Sequence, residues 1–164
     1  MKTTYEERAT KFITTLLVKI LANARTLDEL SSALLRYNFC HKRPLKWTNG
    51  ATRIVIIRSD YVVKIAYCNR YGDNMSEYRG YEFAKANHYE YLFAKPTLIT
   101  IGNHVFEIMP RVAGVGNWHK SWEMCTTREE YRFIDNHYLD LHEYNLGYHN
   151  GKPVFIDYAL NEVR

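Results

Sequence analysis

Long apolar runs are missing from this 164-residue chain. No uninterrupted hydrophobic stretch approaches the roughly 18–20 residues that a membrane-spanning helix needs, so no such span is expected. Cysteine is scarce: Cys40, Cys68 and Cys125 are odd in number, far apart and without a C-x-x-C pair. That spacing excludes a disulfide framework or a zinc ribbon and predicts reduced, mostly buried thiols in a cytoplasmic protein. Glycine (8) and proline (4) are sparse too, which rules out collagen and low-complexity linkers. A hydrophobic fraction of 46% and a charged fraction of 24% rule out disorder for the chain as a whole. Charge of one sign is in small excess, with 22 Lys+Arg against 18 Asp+Glu for a net +4, and no basic run exceeds two residues. A nucleic-acid footprint is therefore not expected, and neither is a membrane partner.

The N-terminus imitates a leader peptide through Lys2, the apolar stretch Phe12–Ala22 and the triplet Ala22-Asn23-Ala24. Glu6, Glu7 and Arg8 precede that stretch and Lys19 interrupts it, so no cleavage is expected. The abundant residue is tyrosine, with 14 copies against 7 Phe and 3 Trp. Tyrosine buries a ring while keeping a polar tip, which suits a small protein with a limited interior. The length fits one domain of ordinary size.

Hydrophobic periodicity divides the chain. Residues 4–24 read as an amphipathic helix opened by the capping box Thr4-x-x-Glu7, with Phe12, Ile13, Leu16, Leu17, Ile20 and Leu21 at helical spacing. Thr26-x-x-Glu29 opens a second helix, giving a hairpin whose apolar face docks on the rest of the chain or on a partner. From about residue 46 the period shortens. Thr52–Arg58 and Tyr61–Tyr67 are β-branched runs around Ser59-Asp60. Residues 75–93 read as helix; Thr97–Ile101 and His104–Val112 then flank Gly102-Asn103 as a hairpin. Gly114 and Gly116 mark a join, Thr127-x-x-Glu130 caps another helix, and Asn150-Gly151 turns a last hairpin.

Polar residues thicken towards the end: Asp135, His137, Asp140, His142, Glu143, Asn145, His149 and Asp157. A hairpin centred on Asn150-Gly151 folds Asp157 back beside Asn145. An amide oxygen and a carboxylate then face one hard cation, with Asp140 near as a base; Mg²⁺ prefers such oxygen ligands. A zinc or iron site from His137, His142, His149 and Asp140 is the competing reading. His137 and His142 are five apart across a helix end, not on one face as in H-E-x-x-H.

Asp140-Leu141-His142-Glu143-Tyr144-Asn145-Leu146-Gly147, followed by Phe155-Ile156-Asp157, resembles the catalytic loop and metal-binding aspartate of the protein-kinase-like superfamily. The resemblance covers roughly residues 46–160. It implies that Asp140 accepts the substrate hydroxyl proton and that Asn145 and Asp157 hold Mg²⁺. Val62-Val63-Lys64-Ile65 resembles the V-A-I-K strand, which implies that Lys64 pairs with ATP phosphates and with a helix glutamate, Glu77 in preference to Glu82. Gly50 falls where the phosphate loop belongs and Met109 where the hinge against adenine belongs.

The departures from the family pattern are specific. The phosphate loop has one glycine, Tyr138-Leu139 replaces His-Arg, Tyr158-Ala159 replaces Phe-Gly, and His142 replaces lysine. Seven residues follow Asp157, so an activation segment and later helices are not expected. The implied fold is α+β: an antiparallel N-lobe sheet with one helix (46–112), a strongly reduced helical C-lobe (113–164) and an extra N-terminal helical hairpin (1–45). The implied function is a minimal ATP- and Mg²⁺-dependent kinase of the bacteriophage or effector type, acting on Ser/Thr of host proteins in the host cytoplasm. A pseudokinase-type binding module and a small-molecule phosphotransferase are the alternatives, and the N-terminal helices are a candidate homodimer surface.

Overall fold

The computed structural model describes residues 3–50, 52–66, 72–102, 104–114, 127–139, 141 and 145–161. The protein is α+β, and its chain divides into two units, Met1–Asn74 with Thr97–Arg111, and Met75–Pro96 with Val112–Arg164.

In the first unit, helix α1 (Tyr5–Phe12) passes through a π-helical turn, Ile13–Leu17, into α2 (Val18–Leu21). The capping box forms: Thr4 N–H donates to Glu7 Oε2 at 2.8 Å and Glu7 N–H to Thr4 Oγ1 at 3.1 Å. Ala9, Ile13, Leu17 and Leu21 are fully buried. Their four-residue spacing overshoots the 3.6-residue period by about 40° per step, and the wider π turn takes up that drift. Helix α3 (Leu27–Cys40) opens on the second capping box, Thr26 with Glu29. Cys40, at the end of α3, is exposed rather than buried, because the buried face of that helix is carried by Leu30, Ala33 and Leu34. Cys68 and Cys125 lie outside the described residues.

Strands β1 (Lys46–Asn49), β2 (Arg53–Ile57), β3 (Tyr61–Ala66), β4 (Thr97–Ile101) and β5 (His104–Pro110) form an antiparallel sheet in the order β1-β2-β3-β5-β4. Ile54, Ile56, Val63, Ile65, Phe106 and Ile108 alternate onto one face and share a single core with the N-terminal helices. Each fully buried Ile or Leu there contributes about 2 kcal/mol. The apolar face of the helices is thus covered by the chain's own sheet. This five-stranded arrangement is compatible with a kinase-like N-lobe.

His104, at the start of β5, is partly buried near the Leu21 carbonyl at the end of α2. Burial pushes its pKa below the ordinary 6.5, against the opposing effect of that carbonyl. Because the unfolded chain binds the proton more readily, His104 contributes stability in full above pH 6.5, and that stability is lost as the pH falls below it. The urea midpoint should therefore drop between pH 7.5 and 5.5, and His104→Phe should flatten the drop. An unchanged slope in the variant would refute the assignment.

In the second unit, α4 (Gly72–Ala86, its first three residues counted with the first unit) starts three residues earlier than the apolar pattern indicates. It ends where His88 turns left-handed, at φ 64, and Tyr89 N–H returns to the Ala84 carbonyl at 2.8 Å. A 3₁₀ turn, Glu90–Leu92, follows. Then come β6 (Ala113–Gly114), α5 (Arg128–His137), β7 (Tyr138–Leu139), β8 (Leu146–His149), β9 (Lys152–Phe155) and β10 (Ala159–Leu160). Helix α5 opens on the third capping box, Thr127 with Glu130. Asn150 and Gly151 both take positive φ, 51 and 76, as a two-residue hairpin with the twist of its strands demands. Strands β6, β8 and β9 form one small sheet, and β7 with β10 another.

The core of this unit is aromatic. Phe93 packs against Tyr138 (4.6 Å between centroids), Tyr158 (4.7 Å) and Phe155 (5.7 Å), and Phe133 stacks on Tyr89 at 4.2 Å. The buried tyrosine hydroxyls find backbone partners: Tyr138 donates to the Gly80 carbonyl at 2.6 Å and Tyr158 to that of Ala94 at 2.8 Å. Burial also pushes the Tyr138 phenol well above its usual range. Tyrosine abundance is here a packing device with satisfied polar tips. Among the described residues, no helix is long and apolar enough to cross a membrane.

Candidate functional site

Strand alternation divides the first unit's sheet into an apolar face and a charged one. With Tyr61, Val63 and Ile65 turned to the helices, Lys64 takes the other face of β3. The register sets Glu107 of β5 directly opposite Lys64, and Val55 of β2 on its other side. Lys64 is 6% exposed, Glu107 and Asn74 not at all. Buried charges in a sheet are rare and need partners. Arg53, at the start of β2, supplies one: its Nη1 lies 3.4 Å from Glu107 Oε2 and 3.4 Å from Asn74 Oδ1. Asn74 Nδ2 in turn donates to the carbonyls of Val105 (3.1 Å) and Lys64 (3.4 Å), so the start of α4 is fastened to β3 and β5.

Two other predicted nucleotide contacts belong to this sheet. Met109, fully buried, is opposite Val62 and shares the Lys64–Glu107 face. Gly50 is exposed in the turn between β1 and β2, which its N–H closes on the Arg53 carbonyl at 2.8 Å. Glu77, on α4 in the second unit, is 1% exposed. Glu82 of the same helix is exposed and lies 3.7 Å from Lys85. Glu107 escaped the sequence-based assignment, although a lone acid inside the apolar run Val105–Met109 is a signal that the run alone carries.

In the second unit the structure brings Asn145 and Asp157 together. The register of β8 and β9 pairs Leu146 with Phe155, and the ladder continues as Ile156 N–H donates to the Asn145 carbonyl at 2.8 Å. The Asn145 side chain, 6% exposed, donates from Nδ2 to the Asp157 carbonyl at 3.0 Å. That bond assigns the amide nitrogen to the protein, so the amide oxygen is the end chemically suited to a cation. Asp157 is exposed and left-handed, at φ 58. Asp140 lies outside the described residues; its chain neighbour Leu139 pairs with Ala159, two residues beyond Asp157. Among the described residues no three His, Cys, Asp or Glu side chains converge as a metal centre; Asp140 and His142 of the zinc alternative lie outside them.

Neither a protein-family model nor a curated protein sequence matches the chain. Among solved structures, a co-crystal of WbdD with a kinase inhibitor aligns with a TM-score of 0.38 and 14% identity. The alignment covers 70% of this chain and 32% of that one, so the match spans about a third of the WbdD chain.

Proposed function

We propose that this chain is a minimal ATP- and Mg²⁺-dependent phosphotransferase that passes the γ-phosphoryl group to Ser or Thr hydroxyls of another protein, in the cytoplasm of a bacterial host. The observation that carries the reading is the Asn145–Asp157 pair, an amide hydrogen-bonded to the backbone of the aspartate that one hairpin returns to it. The donor set fits Mg²⁺, since both groups offer hard oxygens and leave positions for water and phosphate. Asn145 and Asp157 are the residues that would hold it. When bound, the ion neutralises charge on the phosphate oxygens.

The remaining roles belong to this chain's own side chains. Lys64 binds phosphate oxygens from β3, Gly50 lets the β1–β2 turn approach them, and Met109 packs against the adenine. Glu77 orients the lysine. Asp140 takes the proton of the acceptor hydroxyl as the new O–P bond forms and the bond to the departing ADP oxygen breaks. Phosphoryl transfer asks mainly for positioning and charge neutralisation, which is why so few groups suffice. In this reading residues 46–112 carry the nucleotide, 113–164 the catalytic loop, and 1–45 stiffen the sheet.

The test is transfer of labelled γ-phosphate from Mg·ATP to the protein itself and to a bacterial lysate. Wild type should label, and Asp140→Asn should label about 100-fold less, as expected for loss of a general base. No labelling by wild type, or equal labelling by the variant, would overturn the reading. A thermal shift with Mg·ATP but no labelling would mark a nucleotide-holding binding module instead.

A further inference from the structure

The charged face of the first unit's sheet holds a second cation beside the lysine. Arg53 begins β2 and Glu107 lies on β5, with β3 between them. Neighbouring strands are about 4.8 Å apart, so a contact between β2 and β5 side chains must bridge roughly 10 Å over β3. Arg53 makes that contact, at 3.4 Å to Glu107 Oε2. Its guanidinium therefore lies above β3. Two features permit this. Ala66, the residue opposite Arg53, is small and leaves room, and Lys64, the next residue on that face, stands opposite Glu107 itself. Glu107 thus stands opposite Lys64 in the ladder and holds the Arg53 guanidinium with its carboxylate. The Asn74 amide fixes the guanidinium from a third side through its Oδ1.

We infer that Arg53 is a second phosphate-binding cation, paired with Lys64 in one anion seat and held in place by Glu107 and Asn74. The inference rests on the nucleotide reading above for the identity of its ligand, a nucleoside triphosphate. It also explains how a glycine-poor loop serves that ligand. A phosphate loop rich in glycine presents backbone N–H groups to the phosphates; here the turn has Gly50 alone, and its N–H is bonded to the Arg53 carbonyl. The residue that closes that turn through its backbone supplies the charge through its side chain. A guanidinium suits the task, because its planar fork can serve Glu107 on one edge and a phosphate on the other, which a single ammonium cannot. Glu107 and Asn74 are positioning residues, acting through Arg53 and Lys64.

The experiment is equilibrium binding of Mg·ATP, adenosine and inorganic tripolyphosphate to the full chain, with unfolding midpoints measured alongside. Arg53→Gln should weaken Mg·ATP and tripolyphosphate about tenfold, the loss expected for one charge-assisted contact, and leave adenosine unchanged. Arg53→Lys keeps a cation against Glu107 and should still weaken both phosphate ligands about threefold. If Arg53→Gln does not fold, Arg53→Lys decides. Wild-type affinity for Mg·ATP in the deciding variant, or an equal loss for adenosine, overturns the inference. A wild type that binds tripolyphosphate through Arg53 but no nucleotide keeps the seat and removes the nucleotide reading. A wild type that binds none of the three overturns both.

Discussion

Gly147→Ala should lower the unfolding free energy by about 3 kcal/mol, at the upper end of the usual cost of overpacking. Gly147 lies in β8, opposite Gly114 of β6 and Val154 of β9. An alanine Cβ there would collide with the Val112 side chain and stand 2.8 Å from the Ala113 carbonyl oxygen. A flexible side-chain tip could swing away; a backbone oxygen in a strand pair cannot. Relief requires β6 to leave β8. In a chain of this size the loss corresponds to a fall in Tm of roughly 10 °C, readable by thermal or urea unfolding. Gly151→Ala, at φ 76 with open space around it, serves as the control and should cost only about 1 kcal/mol. A Gly147→Ala loss no larger than the control's would refute the packing argument. The substitution also displaces the strand that begins one residue after Asn145, so stability and phosphoryl transfer should fall together.

What could be read in advance was whatever a few neighbouring residues decide. Three capping boxes, at Thr4, Thr26 and Thr127, formed where a Thr-x-x-Glu spacing announced them, because each is closed within four residues. The Asn150-Gly151 turn also set the ladder count that returns Asp157 to Asn145, so the geometry of that pair followed from arithmetic on one hairpin. The start of α4 did not. Gly72, Asp73 and Asn74 are poor helix formers, and what makes them helical includes the Asn74 amide bonding to two strands, a tertiary effect that no local propensity contains. The two-residue strands β7 and β10 are too short to show a period at all.

The Arg53–Glu107–Lys64 face was hidden for a different reason. Its members are far apart in sequence and meet only through the order β2-β3-β5, which a hairpin-by-hairpin reading does not supply. Each charge on its own resembles an edge residue with its head in water. Only the register shows that all three share one face, and only burial shows that Lys64 and Glu107 are withdrawn from bulk water while the Arg53 head stays partly exposed.

Asp157→Gly should separate folding from chemistry. Asp157 holds φ at 58, a conformation that costs a residue with a Cβ about 1 kcal/mol or more and glycine almost nothing. The hydrogen bond that fastens this position to Asn145 ends on the Asp157 backbone carbonyl, so glycine keeps it. Relief of the left-handed strain and the greater freedom of glycine in the unfolded chain nearly offset each other, and stability should stay within about 1 kcal/mol of wild type. The carboxylate, by contrast, is gone. In the proposed reaction it is one of two side chains that would hold the metal, and its removal should reduce labelling from Mg·ATP at least about 100-fold, the scale on which oriented electrostatic stabilisation acts. Asp157→Ala removes the same carboxylate but keeps the strain, so it should match the glycine variant in transfer and trail it in stability. A stable Asp157→Gly that still transfers phosphate would remove Asp157 from the metal site. Glycine and alanine variants that both fall well below wild type in stability would show that the carboxylate holds the turn instead, and the two measurements together decide between a turn former and a ligand.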